Sequence, residues 1–177
     1  CETTIELVKD QNHNCIETMP APDFIGGGTI LYNKEEMEEI YRTGRGGIKV
    51  RANYTYDKEF NCIDIRQIPP TTTAEAIIDK IIERVKAGTI KEITDIRDET
   101  DKSGLKITID PKRGIDPDKL MTKLFRLTPL EDSFSCNFNV LIDGYPRVLG
   151  VQDLLIEWIR FRGKCVFRRV SFELKKA

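Results

Sequence analysis

The sequence predicts an α+β protein: two layers, antiparallel sheet and helix, followed by a long C-terminal helix. Three observations carry this expectation. Short runs alternate apolar and polar residues beside turn signals; residues 47–56 and 60–65, joined by Asp57-Lys58-Glu59, are the clearest case. Period two with one apolar face is the mark of a half-buried antiparallel strand. Between such runs lie segments with three-four apolar spacing, such as Ile77, Ile78, Ile81, Ile82 and Val85, which suit helices laid on one sheet face. Finally, residues 151–177 contain no proline and a single glycine, Gly163. A helix of about 25 residues reaches nearly 40 Å, longer than a two-layer domain requires.

Taken in order, Glu2 to Lys9 reads as the tail of a helix carrying Ile5, Leu7 and Val8, and Asn12-His13-Asn14 ends it. Met19 to Asp23 is extended, because each proline disfavours helix in the residue before it. Gly26-Gly27-Gly28 leads into a short strand, Thr29 to Tyr32. The triplet lacks the lysine and hydroxyl residue of a phosphate-binding P-loop, so it reads as backbone crossing close to another element. Asn33 caps a short acidic helix with Glu36 as reciprocal partner; Met37, Ile40 and Tyr41 form its apolar stripe and Gly44 ends it. One strand is expected over Gly47 to Tyr56, paired with Phe60 to Ile65. Ile68-Pro69-Pro70 breaks the sheet, and Thr72-Thr73-Ala74-Glu75 opens a helix through Lys86, closed by Gly88. Strands follow at Thr94–Arg97 and Leu105–Asp110. Asp116-Pro117 then starts a helix as N-cap and first helical residue, with Leu120, Met121 and Leu124 inward. Phe134 to Ile142 reads as a strand, Asp143-Gly144 as a turn and Tyr145 to Leu149 as the returning strand. In the last helix Val151, Leu155, Ile159, Val166, Val170 and Leu174 line one stripe, widened by Trp158 and Phe172. Arg160, Arg162, Lys164, Arg168 and Arg169 occupy the other side.

Composition bounds the function classes. With 177 residues, 40% apolar and 32% charged, the chain is long enough for one sizeable core or two small ones. Its 28 basic and 29 acidic residues give a net charge of -1, so a basic surface must arise from segregation of charge rather than from excess. No apolar run approaches the roughly 20 residues needed to cross a bilayer, and no secretory leader pattern is seen. Five cysteines without paired CxxC or Cys/His spacing argue against a disulfide framework and a zinc site, and suit reduced thiols. The chain starts at Cys1 and stops on a charged helical stretch, which reads as a piece of a longer protein. His13, the sole histidine, lies in a polar loop and reads as solvated rather than catalytic.

The strongest candidate site is Tyr41-Arg42-Thr43-Gly44-Arg45-Gly46-Gly47-Ile48-Lys49-Val50-Arg51. Glycine lets a phosphate oxygen approach backbone N–H groups, and arginine adds a permanently charged fork. Arg42, Arg45, Lys49 and Arg51 are the expected phosphate contacts, on a surface where basic residues are not interleaved with acids; Arg168 and Arg169 are further candidates. The carboxylate cluster Asp98-Glu99-Thr100-Asp101 is the best acid–base or metal candidate, but it fails the calcium-loop spacing and reads as a solvated turn. No catalytic residue and no metal ligand is assigned.

Several motifs fall in one family's order. Pro20-Ala21-Pro22-Asp23-Phe24 with the glycine triplet, Tyr41-Arg42-Thr43-Gly44-Arg45-Gly46, Asp95-Ile96-Arg97-Asp98-Glu99-Thr100-Asp101 with Gly104, Leu124 to Phe134, and Arg168-Arg169-Val170-Ser171-Phe172-Glu173-Leu174-Lys175-Lys176-Ala177 together resemble the A subunit of bacterial type IIA DNA topoisomerases, DNA gyrase and topoisomerase IV. The resemblance covers nearly the whole chain and departs at Pro70 to Thr73, where common members carry a tyrosine and soon after a lysine. It implies a tail of a winged-helix domain over 1–22, a tower domain over 23–150, and the start of a coiled-coil helix over 151–177. It further implies a cytoplasmic, nucleoid-associated parent that breaks and rejoins duplex DNA through a phosphotyrosine link. That parent would be completed by a B subunit supplying the ATP and Mg2+ sites, together with a second copy of the A subunit. None of Tyr32, Tyr41, Tyr54, Tyr56 or Tyr145 has the motif context of the family's catalytic tyrosine, so this stretch is expected to bind DNA backbone without cutting it. Two other classes remain open: an enzyme binding a phosphorylated small molecule at the glycine-arginine loop with Asp98, Glu99 and Asp101, and a helical dimerisation scaffold.

Overall fold

A computed structural model describes residues 1–176. The elements run α1 (Glu2–Lys9), α2 (Cys15–Thr18), β1 (Thr29–Ile30), α3 (Lys34–Thr43), β2 (Arg45–Arg51), β3 (Asn53–Asp57), β4 (Cys62–Gln67), α4 (Ala74–Lys86), β5 (Ile93–Asp98), β6 (Ile107–Pro111), α5 (Pro117–Leu127), β7 (Glu131–Asn137), β8 (Asn139–Ile142), β9 (Tyr145–Val148) and α6 (Val151–Lys176). This is a mixed α+β chain ending in a long helix. It divides into two compact units that are not consecutive in sequence: 1–22, 33–47 and 135–177 form the first, 23–32 and 48–134 the second.

The second unit holds the larger core. Its four-stranded antiparallel sheet has the order β3-β4-β6-β5, and alternation sets which residues meet: Ile63 pairs with Ile109 and Ile65 with Ile107. These four isoleucines are fully buried, together with Ile77 and Ile81 of α4 and Leu120, Met121 and Leu124 of α5. One broad face of each helix thus covers one sheet face. Both helices begin where their caps dictate. Thr73 Oγ1 accepts from Ala76 N–H, and Asp116 accepts from Asp118 and Lys119 N–H ahead of Pro117. The glycine triplet does cross close to another element: Gly28 N–H donates to Gln67 Oε1 at 3.1 Å and the residue lies against Val50.

The first unit packs α1, α2, α3, the β8–β9 hairpin and α6. Its buried residues include Leu7, Cys15, Ile16, Met37, Ile40, Tyr41 and Cys136. In α6 no described residue is buried; Trp158 is 52% exposed and Phe161, Phe167 and Phe172 more so. Its apolar stripe is partly covered at Val151, Leu155 and Ile159 and exposed at Val166, Val170 and Leu174, with Ala177 outside the described residues. All five cysteines are free. Among the described residues no helix is long and apolar enough to cross a membrane.

Two runs expected as single strands are each two strands. The run 47–56 changes sheets at Ala52, whose N–H donates to Leu130 O at 2.7 Å; β2 pairs with β1, whereas β3 pairs with β4 beyond a register shift at Asn53. Alternation continues through the switch because Ile48, Val50 and Ala52 are all buried. Likewise 134–142 breaks at Phe138, which leaves the ladder to donate to Gly44 O at 2.9 Å.

Candidate nucleic-acid interface

Helix α3 delivers the arginine-glycine corner. Asn33 Oδ1 accepts from the N–H groups of Glu35 and Glu36, starting the helix, and Gly44 stops it in the left-handed conformation at φ 72° with its N–H bonded to Ile40 O. Thr43 Oγ1 donates to Glu39 O at 2.8 Å and accepts from Arg45 N–H at 3.2 Å, so the hydroxyl braces the turn from helix to strand. Beyond it the strand alternates, burying Ile48 and Val50 and exposing Lys49.

The six candidate cations do not share one environment. Arg42 (first unit) is not free of acids: its Nη2 lies 2.6 and 2.8 Å from the two oxygens of Glu39. Arg51 (second unit) is held more firmly. Its Nε donates to Glu131 Oε2 at 2.7 Å and its guanidinium stacks 4.6 Å from the Phe125 ring centroid. The expectation of basic residues without interleaved acids is therefore corrected at Arg42 and Arg51. The Glu39–Arg42 pair was readable from its spacing of three on a helix. Glu131 lies 80 residues from Arg51, and no local signal marks it. Arg45 in the first unit and Lys49 in the second are exposed, and among the described residues neither side chain has a hydrogen-bond or ion-pair partner. On α6, Arg168 Nη2 lies 3.3 Å from Cys165 Sγ, and Arg169 is exposed and unpartnered among the described residues.

The carboxylate cluster is a self-satisfied turn, as expected from its spacing. Asp98 Oδ1 accepts from Thr100 N–H, Asp101 Oδ1 from Ser103 N–H, and Glu99 from Lys106 Nζ at 2.7 Å, Arg97 Nε and Thr108 Oγ1. Lys106 first, then Arg97 and Thr108, hold the Glu99 carboxyl down at about 2, and hydrogen bonding also lowers Asp98 and Asp101. Carboxylates so held are poor proton acceptors near neutrality. Among the described residues no group of His, Cys, Asp and Glu is arranged to hold a metal ion.

Three tyrosines are buried or hydrogen-bonded. Tyr41 is buried. Tyr56 donates to Asn61 Oδ1. Tyr54 donates to Asp118 Oδ1 at 2.8 Å; burial first, then that bond, pushes its phenol up to about 12, the reverse of an activated nucleophile. His13 sits half-buried with Nε2 bonded to Thr18 Oγ1.

Against this geometry, comparison with known proteins is decisive. The model of the family described as DNA gyrase/topoisomerase IV, A subunit, matches residues 1–177. The chain belongs to that family. It is 40% identical over 167 residues to the chloroplastic/mitochondrial DNA gyrase A subunit of Arabidopsis thaliana, covering 92% of this chain and 18% of that protein. Against the DNA gyrase A subunit of Neisseria gonorrhoeae it is 36% identical over 182 residues, covering 100% of this chain and 20% of that protein. The corresponding Borreliella burgdorferi protein is 32% identical over 183 residues, with 100% and 22% covered. The chain thus spans about a fifth of the length of the gyrase relatives it matches.

Proposed function

We propose that this chain is the backbone-binding tower piece of a type IIA topoisomerase A subunit. It grips duplex DNA without regard to sequence, while strand breakage, passage and rejoining are carried out elsewhere in a larger parent. That parent is completed by an ATP-hydrolysing, Mg2+-binding B subunit, together with a second copy of the A subunit. Family membership supports the reading, and one structural observation carries it. Arg45 and Lys49 are exposed cations with no partner among the described residues, whereas Arg42 and Arg51 already face carboxylates. An unpaired surface cation releases counterions when it meets phosphate, giving sequence-independent affinity that falls with salt. The test is duplex-DNA binding by fluorescence anisotropy across a salt series, with two unrelated sequences. Equal affinities and a steep salt slope are expected; sequence preference or salt-independent binding contradicts it.

A second reading concerns α6. A 26-residue helix with no buried residue among those described and an exposed row of Val166, Val170 and Leu174 suits the root of a coiled coil that packs on a further helical segment. Sedimentation of the chain at rising concentration tests it: weak, α6-dependent association is expected, and its abolition by Val170→Glu with the fold intact supports the assignment.

A further inference from the structure

The route from the arginine corner to the long helix runs entirely through backbone. Gly44 O accepts from Phe138 N–H at 2.9 Å, Phe138 O accepts from Leu149 N–H at 3.3 Å, and Gly150 O accepts from Leu154 N–H at 3.0 Å in the first turn of α6. The two glycines at the ends of this route have no room for a side chain. A Cβ on Gly150 would meet Tyr41 O and Arg42 O closer than 3.0 Å, and one on Gly44 would meet Leu149 O equally closely. Backbone atoms cannot swing aside as a side-chain tip can. The last carbonyls of α3 therefore seat directly on the residue preceding α6. The electronegative end of one helix here meets the electropositive end of another.

We infer that Gly150 is a positioning residue for the Arg45 phosphate contact: by admitting the α3 carbonyls, it makes the arginine corner and the root of α6 move as one body. Tilting α6 then displaces Arg45, because α6 begins on the α3 carbonyls of Tyr41 and Arg42 and Arg45 follows the end of α3 by two residues. This rests on the DNA-binding reading of Arg45. By contrast Gly163, also on α6, has nothing within 4 Å of where its Cβ would be, so Gly163→Ala is the control that alters the helix without touching the contact.

The experiment is a double-mutant cycle on the 177-residue chain with Arg45→Ala, Gly150→Ala and the pair, reading the salt slope of duplex binding by anisotropy. Each phosphate contact contributes about 0.9 to that slope, worth roughly 3.5-fold in affinity between 50 and 200 mM salt. Arg45→Ala and Gly150→Ala should each lower the slope by about 0.9, and the double variant by no more than either alone, while Gly163→Ala leaves it unchanged. Additive losses overturn the inference and leave the DNA reading standing. No effect of Arg45→Ala overturns both. Should Gly150→Ala fail to fold, amide exchange in the wild-type chain decides. Added duplex should slow the Phe138, Leu149 and Leu154 amides together with those of the corner, and slowing confined to residues 44–49 overturns it.

Discussion

Arg51→Ala separates a cation that holds the fold from one that holds a ligand. In the wild-type chain the Arg51 guanidinium, 40% exposed, shares one oxygen of Glu131, 24% exposed, through Nε and Nη2, and covers the Phe125 ring. Truncation removes a half-exposed ion pair worth about 1 kcal/mol and a cation–π contact worth roughly 0.5 kcal/mol, and leaves Glu131 without its partner. The expected loss is about 1.5 kcal/mol, or about 5 °C in melting temperature for a chain of this size. Arg51→Lys should forfeit most of the same stability despite keeping the charge, because an ammonium cannot both fork to the carboxylate and stack flat on the ring. Differential scanning calorimetry reads the stability, and the salt slope of duplex binding should stay at the wild-type value in both variants. An unchanged melting temperature with a slope lower by about 0.9 would refute the reasoning, since it would make Arg51 a phosphate contact.

Other expectations test the frame around it. Ile81→Ala empties a fully buried position between α4 and the four-stranded sheet and should cost about 3 kcal/mol, read as a lower urea midpoint with an unchanged m-value; a cost below about 1 kcal/mol would contradict the core described. Glu99, held at about 2 against an ordinary 4.5, contributes stability that is fully present above pH 4.5 and is lost as pH falls toward 2. Glu99→Gln should therefore be less stable than wild type at pH 7, with the gap closing across that window; a pH-independent gap would mean the carboxylate charge is not what matters. Thr73→Ala removes the hydroxyl that accepts from Ala76 N–H and should cost about 1 kcal/mol, measured by chemical denaturation; no cost would place the start of α4 elsewhere.

The helices were legible from sequence because their signals are local. Asp116-Pro117 and the threonines before Ala74 announce α5 and α4, and the three-four spacing names their buried faces. The true cap of α4 is Thr73, one residue inside the expected box, since only that hydroxyl meets a free N–H. The sheet switch at Ala52 and the break at Phe138 were invisible for one shared reason. Period-two alternation says which face a residue takes but not which strand it pairs with, and both breaks are made by hydrogen bonds to residues far along the chain, Leu130 and Gly44. The site divides in the same way. The placing of the candidate corner at a glycine-ended helix was readable; so was the pairing of Arg42 with Glu39, once both are placed on a helix. The capture of Arg51 was not, because it depends on where β7 brings Glu131.

If Arg45 and Lys49 are the cations that meet phosphate, the salt dependence of duplex binding must report them, and no measurement tests their role more directly. Arg45→Ala and Lys49→Ala should each reduce the slope of log affinity against log salt by about 0.9, and together by about 1.8, equally for any duplex sequence and with the melting temperature preserved. A double variant that keeps the wild-type slope would contradict that role.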